Sequence, residues 1–547
     1  MEHLIEQQQS EIHQQASEIR ELKGERGMAS GSAASGGATS SSVAAAQPEV
    51  SAAQFEALQN QLYETQAEVK AATTPKDKKI HMKGVTVTFG GFAAAESVYR
   101  SKSESADIGS SFSALPFAGP GASGTTAATN GHMGEFRMTG RQSRISGLAE
   151  GNFDANTAFT YYGEFDFLGA AASANSNESN SYTPRIRNLY GTVNWTDMGL
   201  EFLYGQSWSL VTLTGSGMSE RTELAPPTID AQYVPGFDWT RQPQLRLVKS
   251  FGDQFWIGGS VENPQTTIGG TAPSDLALLD VNTSSSCTST TLGTAGAEFN
   301  PCIKLSFNHI PDLIGKVAWE PNLFGAGNIH LEAFGIYRDF YNESAIGSAI
   351  TSTNVRQNDE SGGGFGGAAL VKVVPGLLDI QADIMTGTGI GRYGSGQLSD
   401  VTYNIDGSLH ALDETMWMGG ITLHAGSSLD LYVYGGDEQE SSYYGSKNAA
   451  GAADNWGYGN HEFDNTACFS LTAPGKCTGN ARAVWQFTPG LWWTPYVGDF
   501  GKFKIGLQYS HTELDAYRGL NTLSKTGFGS PTTSDDMVFT SFRYYPF

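Results

Sequence analysis

Residues 80–547 predict an all-β transmembrane barrel of about sixteen antiparallel strands, preceded by an α-helical coiled-coil extension. Three observations carry this reading. Apolar and polar residues alternate with a period of two in segment after segment from Ile80 onward, the pattern of strands with one greasy and one wet face. The chain closes on the aromatic-rich run MVFTSFRYYPF, where soluble chains usually end in frayed polar residues. And 39% hydrophobic content with a mean hydropathy of -0.28 coexists with 67 Gly, 29 Phe, 22 Tyr and 10 Trp. That mixture suits a barrel with a polar interior.

No stretch approaches the roughly 20 apolar residues of a spanning helix, so a membrane position would have to be reached with strands. A net charge of -23 argues against nucleic acid and against a basic lipid-binding patch as partners. The opening MEHLIEQQQS lacks the basic region, apolar core and cleavage site of a signal peptide. For an exported chain the expectation is that the numbering starts after its removal or that the true start lies upstream.

Residues 1–27 form the first helical segment. Ile5, Ile12 and Ile19 recur every seventh position, each followed three residues on by Gln8, Gln15 or Leu22, an a/d heptad pattern weakened by Gln at d. Residues 28–47 are a flexible Ser/Ala/Gly linker. Residues 48–79 hold a second helix, with Phe55, Leu58, Leu62, Thr65 and Val69 at spacings of three and four, and a basic linker. Helices this short are marginal alone, so the pattern implies a partner, most simply copies of itself.

The barrel strands follow. Val85, Val87 and Phe89 alternate with Thr86 and Thr88, and Phe159, Tyr161, Phe165 and Phe167 with Thr160, Tyr162, Glu164 and Asp166. Leu245 and Leu247 flank Arg246, Phe255 and Ile257 flank Trp256, and Ile329 and Leu331 flank His330. Phe503, Ile505, Leu507 and Tyr509 repeat the pattern near the end. A soluble sandwich alternates in the same way, but aromatics near strand ends and long polar loops favour the barrel. At roughly 29 residues per strand and connection, 80–547 gives about sixteen strands, a size that leaves an aqueous channel. In the terminal strand Ser541 and Arg543 break the apolar alternation counted back from Phe547.

Four cysteines fall in two local pairs, Cys287 with Cys302 and Cys468 with Cys477, within Ser/Thr/Gly/Asn-rich stretches. Two loop disulfides in an oxidising compartment fit this spacing; free buried thiols are the alternative. The ten His are scattered outside any Ser, Cys or metal motif, so no residue is assigned a catalytic or metal role and no cofactor is expected. The Gly362–Gly367 run reads as a flexible turn.

Several stretches resemble the DcaP-like outer-membrane porins: KGVTVTFGGFAAAES (83–97), RMTGRQSRISGLAEG (137–151), TYYGEFDFLG (160–169), PRIRNLYGTVNW (184–195), EFLYGQSWS (201–209) and RQPQLRLVKSF (241–251). The resemblance covers roughly 80–262 and the terminus. It implies a sixteen-stranded barrel, a homotrimer with a coiled-coil extension, and passive uptake of small anions such as dicarboxylates. An outer-membrane barrel places the chain in a Gram-negative bacterium; the helical segments are then expected on the periplasmic side, where peptidoglycan is a partner open to them.

Arginine placement suggests where selectivity would sit. Arg137, Arg141, Arg144, Arg185, Arg187, Arg241 and Arg246 fall within or beside the early strands. A charge facing lipid at mid-depth costs about 2–4 kcal/mol, so the lumen is the cheaper place. Guanidinium groups on a pore wall can hold carboxylates bidentately. The same arginines could pair with Glu150, Glu164, Asp166 and Glu201, and both roles can hold together. Segment 210–240, with Pro226, Pro227, Pro235 and the acids Glu220, Glu223 and Asp230, resembles the loop that folds into the lumen of trimeric porins. An acidic loop against a basic wall would set a transverse field. The overall acidity is then expected in outer loops, at Asp437, Glu438, Glu440, Asp454, Glu462, Asp464, Asp535 and Asp536. A structural barrel with surface-contact loops is the alternative function.

Overall fold

The computed structural model describes residues 79–547 apart from 105, 120–129, 170–182, 281–304, 323–326 and 473–474. The two helical segments, their linker and the Cys287–Cys302 pair lie outside the described residues.

Alternating sequence becomes sixteen long strands: β1 (Val85–Arg100), β2 (Arg144–Asn152), β3 (Thr157–Asp166), β4 (Arg185–Trp195), β5 (Leu200–Trp208), β6 (Arg241–Phe251), β7 (Phe255–Glu262) and β8 (Asp312–Trp319) make the first half. β9 (Ile329–Ile346), β10 (Arg356–Val374), β11 (Leu378–Thr388), β12 (Asp413–His424), β13 (Leu429–Glu440), β14 (Ala481–Gly498), β15 (Gly501–Ala516) and β16 (Thr532–Tyr545) make the second. Each pairs antiparallel with the next, and β16 returns to β1, with Ala93 opposite Tyr544 and Arg100 opposite Met537. The ring is therefore closed and leaves no unpaired edge. A short strand, Glu135–Thr139, covers the outer half of β1 above β2.

Burial fixes which face is which. On β6, Leu245 and Leu247 are exposed while Gln242, Gln244, Arg246 and Val248 are buried. On β8, Leu313, Val317 and Trp319 are exposed while Asp312 and Lys316 are buried. Trp417, Ile421, Val433, Phe487 and Leu507 continue the outward apolar surface around the wall. Such a band is unfavourable in water and suited to hydrocarbon. Short turns such as 252–254, 375–377, 425–428 and 499–500 close one end, and the long connections gather at the other.

The lumen is not uniformly polar. Val98, Met418, Tyr432, Tyr434, Trp492, Met537 and Phe539 point inward and are covered by Ile229, Val234 and Phe237 of segment 209–240. A second inward connection, 389–412, packs Ile390 and Tyr393 against Ile314, Phe334, Met385 and Met416.

Two sequence expectations are corrected. Asp437, Glu438 and Glu440 are on β13 and Asp535 and Asp536 on β16, not in outer loops; Glu438 and Asp535 are fully buried. Parity with inward neighbours carries Glu438, Glu440 and Asp535 inside, whereas Asp536 lies on the outward face. The Gly362–Gly367 run lies within β10, not in a turn. A Cβ on Gly366 would sit 2.4 Å from the Phe334 ring, and one on Gly362 2.7 Å from the Phe340 ring, so the glycines make room for inward rings of β9. Ser541 and Arg543, which break the apolar alternation, belong to β16. They occupy its lumen face, while Phe542 is exposed outside.

Candidate functional site in the barrel lumen

Segment 209–240 descends into the barrel because wall groups hold its backbone. Gln142 donates from Nε2 to the Ile229 carbonyl at 2.6 Å, and Trp492 Nε1 donates to the Pro227 carbonyl at 2.7 Å. Gln381 Nε2 donates to the Leu224 carbonyl at 3.0 Å, and the Leu210 amide donates to Glu262 at 2.8 Å. Buried polar groups satisfied in this way fix one loop position.

Beneath the loop lies a cavity of about 570 Å³, bounded by β2–β5, β10–β16 and residues 221–233. Arg144, Arg187, Arg221, Lys504 and Arg543 line it, with Glu164, Asp166, Glu223, Asp230, Asp379 and Asp430 as the acidic counterpart. Arg187 reaches Glu164 at 2.6 Å and Asp166 at 3.2 Å, and its guanidinium lies 5.9 Å from the Trp208 ring. Arg185 holds Asp166 through two bonds of 3.0 and 2.6 Å. Arg144 lies 3.9 Å from Glu164 and 5.3 Å from the Phe92 ring. Arg543 lies 4.7 Å from the Trp492 ring and 5.0 Å from Phe92. Aromatic walls thus hold several cations face-on.

Tyr233 is the loop residue set among these arginines. It is buried, adopts a left-handed φ of 69°, and packs against Trp208, Phe237 and Trp239. A non-glycine residue in that conformation is held there by its surroundings. Arg241 stacks between Trp208 and Trp239 at 4.8 Å from each ring.

The candidate residues therefore divide. Arg144 and Arg187 share the cavity, with Arg185 tied to them through Asp166. Arg246 faces inward but lies elsewhere, donating to Gln244 and to the Trp208 carbonyl. Arg137 is half-exposed on the short outer strand beside Glu135, and Arg141 knits outer connections through Asp107 and the carbonyls of Phe167 and Gly169. Of the loop acids, Glu223 and Asp230 border the cavity, Asp230 also accepting from the amides of Ser110 and Gln232, and Glu220 is buried. Two of the pairings considered from sequence form, to Glu164 and Asp166; Glu150 meets Arg221 at 3.7 Å instead. Arg543 and Lys504 were missed; inward parity with Ser541 and with Gln508 was the available signal. Cys468 and Cys477 form a disulfide.

A closed sixteen-stranded barrel with an apolar exterior and a loop folded into a charged lumen is the fold of an outer-membrane porin channel. Among solved structures, the chain is similar to the outer membrane channel DcaP of Acinetobacter baumannii, at 16% identity and a TM-score of 0.55 over 85% of this chain and 99% of that one. It is also similar to an anion-selective porin from Comamonas acidovorans (12% identity, TM-score 0.41, 84% and 99% covered). The trimer form of OmpT from Vibrio cholerae follows (11%, 0.40, 85% and 100%). No protein-family model matches the chain, and no curated protein sequence does.

Proposed function

We propose that this chain is a passive outer-membrane channel for small hydrophilic solutes, with anionic carboxylates favoured. The observation that carries the reading is the convergence of Arg144, Arg187, Arg543 and Lys504 on one lumen cavity. Donors fixed by aromatic walls and by Glu164, Asp166 and Glu96 keep guanidinium edges in place for a passing carboxylate. The lining acids are no fewer than the lining cations, so the preference rests on where the guanidinium and ammonium groups are placed, not on net charge, and is for anions over cations rather than exclusion. The channel works as a homotrimer, with residues 1–79 forming a periplasmic coiled-coil extension within reach of peptidoglycan. Transport is passive and uses no cofactor.

Planar-bilayer recordings test this. Under a salt gradient the reversal potential should have the sign of anion preference, and small dicarboxylates should block or reduce chloride current. A cation-signed potential overturns the selectivity. The second reading is a structural barrel, favoured by the two connections that fill much of the lumen; absence of any current would support it.

A further inference from the structure

The inward loop is seated on the wall opposite the arginines, and the seat is acidic. At Gly236 a Cβ would lie 1.9 Å from the Trp417 carbonyl oxygen, and at Gly436 one would lie 2.1 Å from the Pro235 carbonyl oxygen. Loop and wall backbones thus touch where no side chain fits. Glu438 clamps the contact by accepting from the amides of Gly236 at 2.6 Å and Gly396 at 2.8 Å. The loop's own next acid, Asp238, is 1% exposed, and neither of its carboxyl oxygens has a hydrogen-bond partner among the described residues. Glu414 behind it is in the same condition.

An unpaired buried carboxylate is strongly disfavoured, and neighbouring carboxylates make it worse. Asp238 faces Asp383 of β11 and Glu438 of β13, with Glu414 of β12 and, beyond it, Glu440 and Asp400. The cations nearby are engaged elsewhere: Arg338 with Asp312 and Asp400, Arg392 with Asp312, Lys316 with Glu332. No group of three His, Cys, Asp or Glu among the described residues has a metal-holding arrangement. A proton is the remaining neutraliser. Burial, and then the charges of Asp383 and Glu438, hold the Asp238 carboxyl well above the usual carboxylate range.

We propose that Asp238 is a proton-dependent latch: protonated, it keeps segment 235–239 seated on the wall, and its ionisation beside Asp383 and Glu438 lifts that segment and widens the lumen as pH rises. The seating goes beyond the anion reading and stands without it. A carboxyl that binds its proton more tightly when folded adds stability at low pH, and that stability is lost as pH climbs toward the folded value. Glu104, in an outer connection, is pushed up to about 7 by burial against the pull of Arg100. It too changes charge as pH rises, so the informative quantity is the difference between the wild type and Asp238→Asn, which copies the neutral form.

The full-length protein is compared with D238N between about pH 5 and about pH 9. Wild-type single-channel conductance should rise, and its melting temperature fall, more than those of D238N. Hydrogen exchange at residues 235–239 should accelerate beyond the intrinsic pH effect in the wild type alone. Superimposable profiles for the two proteins overturn the latch. So does a response to added Ca²⁺ at constant pH that D238N abolishes. If no current flows at any pH the channel reading fails, while melting and exchange still decide the latch. If D238N does not fold, unchanged wild-type protection of 235–239 across the range overturns it.

Discussion

Arg543 of β16 and Glu96 of β1 meet at 2.7 Å across the seam that closes the barrel. The Ser541 hydroxyl donates to the same Glu96 oxygen at 2.8 Å, and Glu96 is buried. The first and last strands are thus locked by a charge pair on their lumen face as well as by the backbone ladder. Removing one partner leaves an uncompensated buried charge, worth about 3–5 kcal/mol. Glu96→Ala should lower unfolding free energy in denaturant titration by that order. The double variant Glu96→Ala, Arg543→Met should recover part of it; equal loss in both would show that the stranded Arg543 charge is not what costs stability.

Arg187 sits at the centre of the cavity cations. Arg187→Gln removes one positive charge and leaves Glu164 and Asp166 less compensated, so both effects favour cations. The anion-to-cation permeability ratio should fall by a factor of about five, roughly 1 kcal/mol. Arg246→Gln, away from this cavity, should change it less. Reversal potentials of the two variants under one salt gradient check the order.

Gly366 gives way to the Phe334 ring, and its Cβ position also lies 2.5 Å from the Ile384 carbonyl oxygen. Gly366→Ala should therefore cost about 1–3 kcal/mol through overpacking, despite the higher strand propensity of alanine. Thermal melts of the variant, alone and with Phe334→Leu, test it: the second change should restore stability if the ring is the obstacle.

The Cys468–Cys477 bridge closes a short loop, with a sequence separation of 9. Chain entropy assigns such a bridge about 2–3 kcal/mol, confined to an outer connection rather than to the wall. Cys468→Ser with Cys477→Ser should make this connection sensitive to protease while the barrel's melting temperature stays near that of the wild type. A large fall in barrel stability would mean the connection supports the wall.

The wall was legible because lipid outside and water inside impose a period of two: Leu245, Arg246 and Leu247 alone tell which side is which. The terminal strand was legible for the same reason. What failed needed neighbours. The Gly362–Gly367 run looks like a turn until the Phe334 and Phe340 rings of the adjacent strand are in place. Glu438 and Asp535 look like solvated loop acids until their strand register puts them inside. The division of the arginines was hidden too, because Arg187 and Arg246 both face inward and only their neighbours separate them: Arg187 lines the cavity, while Arg246 is held by Gln244 and the Trp208 carbonyl. The Tyr233 conformation left no mark in the sequence.

Apolar side chains of the wall meet lipid and their neighbours meet the lumen. Two single-tryptophan versions test it most directly, one keeping Trp417, 48% exposed on the outer face, and one keeping Trp492, 4% exposed inside. In bilayers of lipids brominated along the acyl chains, fluorescence of Trp417 should be strongly quenched and that of Trp492 nearly untouched. Equal quenching, or quenching of Trp492 alone, would contradict the account.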